Sequence, residues 1–466
     1  MDFIQQAEKG KGDPSDKRIR YMNIPNSPKP RLVVIGGGFG GIELIKELRN
    51  SGQFQIVLLD RHNYHTFQPL LYQVATAGLE PDSIASPLRK VFKGYNDFYF
   101  RLAEVEKVHP ARNCIETSIG HLTYDFLVIA TGSKTNYYGM EDFETLAMPM
   151  KKVSEALDLR SKILQNYEKA LLADDPKEFK SLVDIVVVGG GPTGVELAGA
   201  LSELRKYVLP KDIPEIDFSQ MSIHLVEAGP RLLFGMSDNA GEKALKYLKE
   251  LGIKVHLNTA VKSFDGFKVK LQDGSEILSE TVIWAAGVTG NSLEGLNPEV
   301  VKGGRYSVDA YNRIKGYENI FAIGDVALMI SENRPKGYPM LAQVAIQQGK
   351  LAATNLNALV KGEALKPFQY NDKGSMATVG RNRAVVDLKN VKFSGISAWF
   401  VWMFVHLLFL IGFRNKVTTF INWIWNYFTF DRATRLIIRP WSRSACMREF
   451  KVKKDQVLVE RGKGKS

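Results

Sequence analysis

Cysteine is almost missing from this chain: 466 residues contain two, Cys114 and Cys446. Thiols so far apart in sequence supply no disulfide framework and no cysteine metal site, and they point to a reducing compartment. The opening stretch MDFIQQAEKGKGDPSD has no apolar core, so no signal peptide is expected there. Uncharged apolar runs are scarce too, and only 395–413 approaches twenty residues. Acidic side chains are the minority charge, 50 Asp and Glu against 62 Lys and Arg. The excess is concentrated: residues 414–466 hold 13 basic and 4 acidic side chains, so +9 of the net +12 lies in the last ninth of the chain. The rest, 45% apolar and 24% charged overall, is the composition of a globular protein, and the length allows two or three domains.

What is present begins with the stretch 31–60, RLVVIGGGFGGIELIKELRNSGQFQIVLLD. An apolar β-forming run enters a glycine cluster, a segment of helical spacing follows, and a second apolar run ends on Asp60. Strand, glycine turn, helix, strand and acid in that order form a dinucleotide-binding unit. Gly36 serves the tight turn, Gly38 lets backbone approach a pyrophosphate, and Gly41 lets the helix pack close on the strand. The N–H groups of the helix N-terminus face the phosphates, and Asp60 accepts from a ribose diol.

A second copy, DIVVVGGGPTGVELAGAL, repeats the spacing with Gly189, Gly191 and Gly194; its helix is expected from Thr193, with Glu196 in the first turn. Its acid, Glu227, comes late because KYVLPKDIPEIDFSQ intervenes before the strand SIHLVEAG. Two nucleotide sites in one chain imply a bound redox cofactor and a diffusing nucleotide. Glu227 disfavours a 2′-phosphate, which selects NADH over NADPH; Arg231 is the neighbour able to reverse that choice.

Other stretches fit the same plan. RHNYHTFQPLLYQVATAGL is rich in aromatics and amides, and in two-nucleotide flavoproteins this region passes near the isoalloxazine. No cysteine lies between Leu32 and Arg112, which argues against thiol–disulfide relay chemistry; His62 and His65 read as structural histidines. YDFLVIATGS closes a strand on Ala130, Thr131 and Gly132, small enough for close approach to the first dinucleotide. VIWAAGV, with Ala286 and Gly287, is the counterpart in the second lobe. IFAIGD ends a strand at Asp325, placed either to bond a ribitol or phosphate edge or to cap a helix. In LAQVAIQQGKLAATNL, Gln343 and Gln347 share one helix face.

Residues 395–413 would form a helix of about 28 Å against a bilayer core of ~30 Å. The following VTTFINWIWNYFTF sets a polar stripe (Thr418, Asn422, Asn426, Thr429) opposite Phe420, Ile421, Ile424 and Phe428, an amphipathic helix suited to an interface. Five of the six Trp lie in this terminal region, which fits headgroup-level anchoring, and the basic tail fits an anionic surface. A monotopic anchor partly covered by a partner subunit is favoured over a single span at 395–413 and over a buried hairpin.

Taken together the chain resembles the type II, single-subunit, non-proton-pumping NADH:quinone dehydrogenases from residue 31 to about 440. The resemblance rests on VVIGGGFGG, NYHTFQPLLYQVATAGL, YDFLVIATGS, VVVGGGPTGVELAGAL, IFAIGD, AQVAIQQ, YNDKGSMATVG and WFVWMFVHLLFLIGFRN; AQ-x-A-x-Q and K-G-x-MATVG are its specific patterns. It implies an α/β fold with two Rossmann-like, glutathione-reductase-like dinucleotide-binding domains and a C-terminal helical membrane-anchoring region. It implies FAD in the first lobe and NADH as co-substrate in the second. Gln343 and Gln347 then line a quinone pocket by the flavin, Gln343 and Lys373 contact the flavin region, and Glu196 relays protons or supports the nucleotide–flavin contact. The expected partners are a membrane quinone, the lipid surface and a second copy through the C-terminal region, with no nucleic acid. The expected place is the cytoplasmic face of the inner (plasma) membrane.

The corresponding division is a flexible polar arm over 1–30, FAD-binding parts over 31–150 and 291–385, an NADH-binding part over 151–290, and anchoring helices with the basic tail over 386–466. The chemistry implied is hydride transfer from nicotinamide to flavin and then two-electron, two-proton reduction of a quinone, without ion pumping because no carboxylate lies in the apolar run. The rival readings are a sulfide:quinone oxidoreductase, which needs a reactive cysteine pair, a ferredoxin-type carrier reductase, and a basic flavoprotein that binds nucleic acid.

Overall fold

Two five-stranded parallel sheets are built around the two fingerprint strands. In chain order their strands are β1 (Arg31–Ile35), β2 (Gln55–Asp60), β3 (Phe98–Leu102), β4 (Phe126–Ile129), β5 (Met148–Pro149), β6 (Ile185–Val188), β7 (Ile223–Val226), β8 (Lys254–His256), β9 (Thr281–Trp284) and β10 (Ile320–Ala322). The first sheet runs β10-β4-β1-β2-β3 and the second β5-β9-β6-β7-β8. Each fingerprint strand sits in the middle with a parallel neighbour on both sides, Val33 opposite Val57 and Leu127, Val186 opposite His224 and Val282. Strands covered on both faces read as unbroken apolar runs rather than alternating ones, and LVVI and IVVV are buried throughout.

The computed structural model describes residues 20–430, 435–437 and 440–442. The chain divides into unit 1, residues 1–65, 86–134 and 288–372, and unit 2, residues 66–85, 135–287 and 373–466. The unit 1 core gathers Val33, Ile35, Val57, Leu59, Ile129 and Ile320; the unit 2 core gathers Val186, Val188, Val226, Val282 and Trp284 with Phe143 and Phe264. In unit 1, helix α1 (Phe39–Leu48) follows β1; in unit 2, α2 (Val153–Ala170) precedes β6 and α3 (Pro192–Glu203) follows it. The second fingerprint helix thus starts one residue before the expected Thr193, because a proline at the first helical position costs nothing. The long helix α4 (Ala342–Lys361) belongs to unit 1 and lies against α1.

Residues 20–30 are tied down, where a flexible arm was expected. Met22 N–H donates to His121 O at 2.8 Å and His121 N–H to Arg20 O at 2.8 Å. Gln55 donates to Pro25 O at 2.7 Å, Lys29 pairs with Asp97 at 2.5 Å, and Ile24 is buried. The expectation for residues 1–19, and that for the basic tail beyond residue 442, lie outside the described residues.

Unit 2 ends in a three-stranded antiparallel sheet, β11 (Ser375–Thr378), β12 (Ala384–Asp387) and β13 (Lys392–Ser394), and two helices, α5 (Ile396–Phe409) and α6 (Phe413–Thr429). The possible span over 395–413 is corrected here. Backbone leaves the helix at Leu410 (ψ 137°), so α5 has 14 residues and is about 21 Å long, short of a ~30 Å core. Among the described residues no helix is long and apolar enough to cross a membrane.

Candidate active site

Unit 1 presents a cleft at the carboxyl ends of β1 and β2, lined by Gly36, Asp60, Arg61, Glu104, Thr131 and Asn291 among others. The fingerprint residues make it. Gly36 has φ +109°, and the Ala130 carbonyl occupies the place of a side chain there. The Gly36 carbonyl leaves no room for a Cβ on Gly41. Gly38 is different: a Cβ there meets no atom of the chain, so the fold does not require glycine at this position. The space is open for a ligand, and α1 starts beside it without a side-chain cap. Asp60 spends one lone pair of each oxygen on the turn itself, accepting from Gly37 N–H and His62 N–H, both at 2.7 Å. Thr131 donates to Asn291 O at 2.7 Å, and Gly132 O accepts from Asn291 N–H at 3.0 Å. Asp325, in a single turn after β10, accepts from Ser133 Oγ at 2.6 Å.

His65 holds the same turn as a structural histidine. Its Nδ1–H donates to Gly37 O at 3.1 Å, and burial pulls its pKa down to about 4. On α4, Gln343 and Gln347 are both half-buried on one face. Gln347 exchanges two 2.9 Å hydrogen bonds with the Asn371 backbone. The neighbour that sequence reading passed over, buried Gln348, accepts from Gly324 N–H at 2.7 Å and so fixes the turn that carries Asp325.

Unit 2 repeats the cradle. Gly189 has φ +111° and is filled against by the Ala285 backbone at 2.6 Å; the Gly189 carbonyl excludes a side chain on Gly194; a Cβ on Gly191 meets nothing. Glu227 accepts from Gly190 N–H at 2.6 Å and Gly229 N–H at 2.7 Å. Tyr138, itself largely exposed, lies over Gly287 and donates to Ala286 O at 3.0 Å. Arg231, the neighbour able to reverse the choice of NADH, is turned toward its own loop. Each of its three nitrogens is engaged, with Met236 O (3.0 Å), Phe234 O (3.0 Å) and Asp238 (3.2 Å). Both cradles therefore fit a dinucleotide: a glycine that only a ligand requires, an uncapped helix start, and an acid at the ribose end.

Unit 2 also holds an aromatic cavity with about 730 Å³ of atom-free space, part of it open to solvent. Tyr72, Glu196, Thr378, Arg381, Trp402 and Trp423 are among its walls. Glu196 projects from α3 and is buried, with Oε1 accepting from Trp402 Nε1 at 3.2 Å and from Thr378 N–H at 3.4 Å. Loss of solvent outweighs those two bonds and pushes its pKa up to about 8. Glu196 is therefore protonated at neutral pH, and with both donors on Oε1 the proton sits on Oε2. Trp402 stacks on His406 at 4.0 Å, and burial lowers the His406 pKa to about 4. Trp423 donates to Gln73 Oε1 at 2.8 Å, and Arg381 donates to Asn426 O at 2.7 Å with its guanidinium 3.7 Å from the Phe430 ring centre. Lys373 is exposed two residues before β11.

Trp402, Trp423, Thr378 and Arg381 were not among the residues expected at the site. The tryptophan-rich run had been assigned to headgroup anchoring, yet Trp402 and Trp423 are buried, and only Trp425 of that run is largely exposed. Their polar N–H groups, turned inward to Glu196 and Gln73, were the unused signal. Cys114 is buried in a strand of unit 1, and Cys446 lies outside the described residues.

Two such cradles on parallel sheets define an oxidoreductase that handles two nucleotides. The family model described as pyridine nucleotide-disulphide oxidoreductase matches residues 30–349, and that described as NDH2 C-terminal domain matches residues 373–432. The chain is 38% identical to the type II NADH:quinone oxidoreductase Ndh of Mycobacterium tuberculosis over 84% of its own length and 87% of the relative's. It is 35% identical to NdhA of the same organism over 84% and 86%. Among solved structures, NDH2 of Plasmodium falciparum in complex with NADH superposes with a TM-score of 0.81 at 22% identity, covering 88% of this chain and 100% of that one. The chain belongs to the type II NADH:quinone oxidoreductases.

Proposed function

We propose that the three sites divide the family's reaction, with FAD in the unit 1 cradle, NADH in the unit 2 cradle, and the quinone head in the cavity walled by Glu196. The enzyme is an FAD-dependent NADH:quinone oxidoreductase that pumps no ions. The chemistry FAD supplies when bound is acceptance of a hydride and delivery of two electrons. The chain's own residues do the rest. Gly38 and Gly191 admit the pyrophosphates, Asp60 and Glu227 hold the riboses, and Thr131, Gly132, Asp325, Ala286 and Gly287 line the approaches. Quinone reduction consumes two protons, and the observation that carries this reading is a buried carboxyl, bonded to Trp402 and Thr378, on the wall of an aromatic cavity. Glu196 Oε2 holds a proton at the place of use. By their motifs, Gln343 and Lys373 are assigned to the flavin, and Gln343 and Gln347 to the quinone. Replacing Gln347 with Trp is expected to slow quinone reduction at least tenfold, on the order of 1.4 kcal/mol, while rapid-mixing spectra still show flavin bleaching by NADH at the wild-type rate. Loss of both half-reactions would refute a quinone-specific role.

We further propose that α5 and α6 rest in the surface of a bilayer and carry a homodimer contact. What supports this is an inverted helix. In α6 the buried side chains are Asn415, Thr419 and Trp423, while Phe413, Phe420, Ile421, Ile424, Trp425 and Phe428 face outward. Two inward amides are satisfied by backbone, Asn415 donating to Ala85 O at 3.2 Å and Asn426 to Gly78 O at 3.0 Å. In α5, Ile396, Phe400, Phe404 and Leu408 form an outward stripe four residues apart. An apolar surface of this extent is a liability in water and matches lipid. The double change Phe420→Glu and Phe428→Glu is expected to release the protein from anionic liposomes in a flotation assay. Retention at the wild-type level would rule the surface out.

A further inference from the structure

The loop over 228–237, which follows β7, is anchored to the second fingerprint and strained. Leu232 and Leu233 are buried, and Leu232 fills the space against Gly190. Leu233 N–H donates to Gly190 O at 2.9 Å, and Met236 N–H to Leu233 O at 2.7 Å. Glu227 therefore holds Gly190 by its amide while Leu233 holds it by its carbonyl. Leu233 adopts φ +50°, a left-handed conformation that a bulky residue takes only when its surroundings enforce it; such strain concentrates at ligand clamps. Its result is that the next residue, Phe234, is turned out and left 74% exposed. The ring is not loose, because Arg231, immobilised by Met236 O, Phe234 O and Asp238, places its guanidinium 5.0 Å from the ring centre.

We propose that Phe234, braced by Arg231, is the platform on which the adenine ring of NADH stacks. This rests on the reading that unit 2 binds NADH. Strained backbone, two buried leucines and a three-way clamp on an arginine serve to hold one aromatic ring out in water, one residue from the backbone that bonds the fingerprint glycine beside the ribose acid. A purine offers a flat π-face of matching size, and base–aromatic stacking is a stabilising contact. The contact serves the adenylate end of the substrate, so Phe234 is a positioning residue with no part in hydride transfer.

The test compares wild-type holoenzyme with Phe234→Ala and Phe234→Trp, using NADH, reduced nicotinamide mononucleotide (which lacks the adenylate), and ADP-ribose as a binding probe. For Phe234→Ala the ratio of kcat/KM for NADH to that for the mononucleotide is expected to fall about tenfold, the weaker end of base stacking. The ADP-ribose Kd is expected to rise by a similar factor, and Phe234→Trp to restore both. An unchanged ratio and Kd, or a loss that Trp does not restore, overturns the proposal. The reading beneath it fails separately, if the wild-type enzyme oxidises no NADH.

Discussion

The two nucleotide units each carry a glutamate five residues past their open glycine, Glu43 after Gly38 and Glu196 after Gly191, inside the nearly identical runs GIEL and GVEL. Glu43 is half-buried on α1 and pairs with Lys350 of α4 at 3.1 Å, with Glu47 on the same ammonium at 3.3 Å. Glu196 lies under β11 and Trp402 with no cation partner among the described residues, its pKa pushed up to about 8. The fingerprint itself sets neither outcome. What decides is the element that covers the helix: a lysine-bearing helix in unit 1, a sheet edge and an indole in unit 2. The same position of the fingerprint carries an ion pair in one unit and a buried carboxyl in the other.

The comparison can be broken first at the glycines. Gly38→Ala and Gly191→Ala place a methyl where the chain has open space, so both proteins are expected to fold. Gly38→Ala is expected to purify with little flavin. Gly191→Ala should keep its yellow colour but lose NADH affinity on the order of tenfold or more. Absorbance spectra and the KM for NADH separate the two. A Gly191→Ala protein that is colourless would mean that the two cradles are not distinct sites.

The glutamates give the next largest effect. Below about pH 4.5 Glu196 is protonated whether folded or not. As pH rises toward about 8 only the unfolded chain ionises, so the folded state loses stability across that window, on the order of 3–5 kcal/mol if the site stays sealed. Glu196→Gln should remove this part of the slope in denaturant titrations at pH 5, 7 and 9. It should also lower quinone turnover and remove its decline through about pH 8. Glu43→Gln should cost no more than about 1 kcal/mol, the worth of an exposed ion pair, with the pH slope intact. Equal behaviour of the two variants would dissolve the contrast.

Much of this was legible in the order of residues because it is local. Glycine spacing, the acid at the end of each second strand and the unbroken apolar strands follow from backbone geometry that any ten to thirty residues specify by themselves. The cavity was not legible, because its members are far apart: Trp402 meets Glu196 across 206 residues, and Trp423 meets Gln73 across 350. The stretch 66–85 was placed with the first lobe because it follows Asp60 in sequence, yet it groups with unit 2, where Leu71–Ala75 packs on α2 and α3. In α6 the polar and apolar stripes were apparent, but which stripe faces the protein depends on the carbonyls of Ala85 and Gly78, which no periodicity announces. In 395–413 the absence of charge suggested a longer helix than the chain makes.

Helix α4 has one more consequence. At Gly349 a side chain would meet the Gly40 carbonyl at 2.5 Å, and one at Gly40 would meet the Ala345 carbonyl at 3.2 Å. The rod that carries Gln343 and Gln347 is thus seated on the first turn of the first fingerprint helix. A methyl on Gly349 would therefore force α4 away from α1, so the two helices lie this close only because that residue has no side chain.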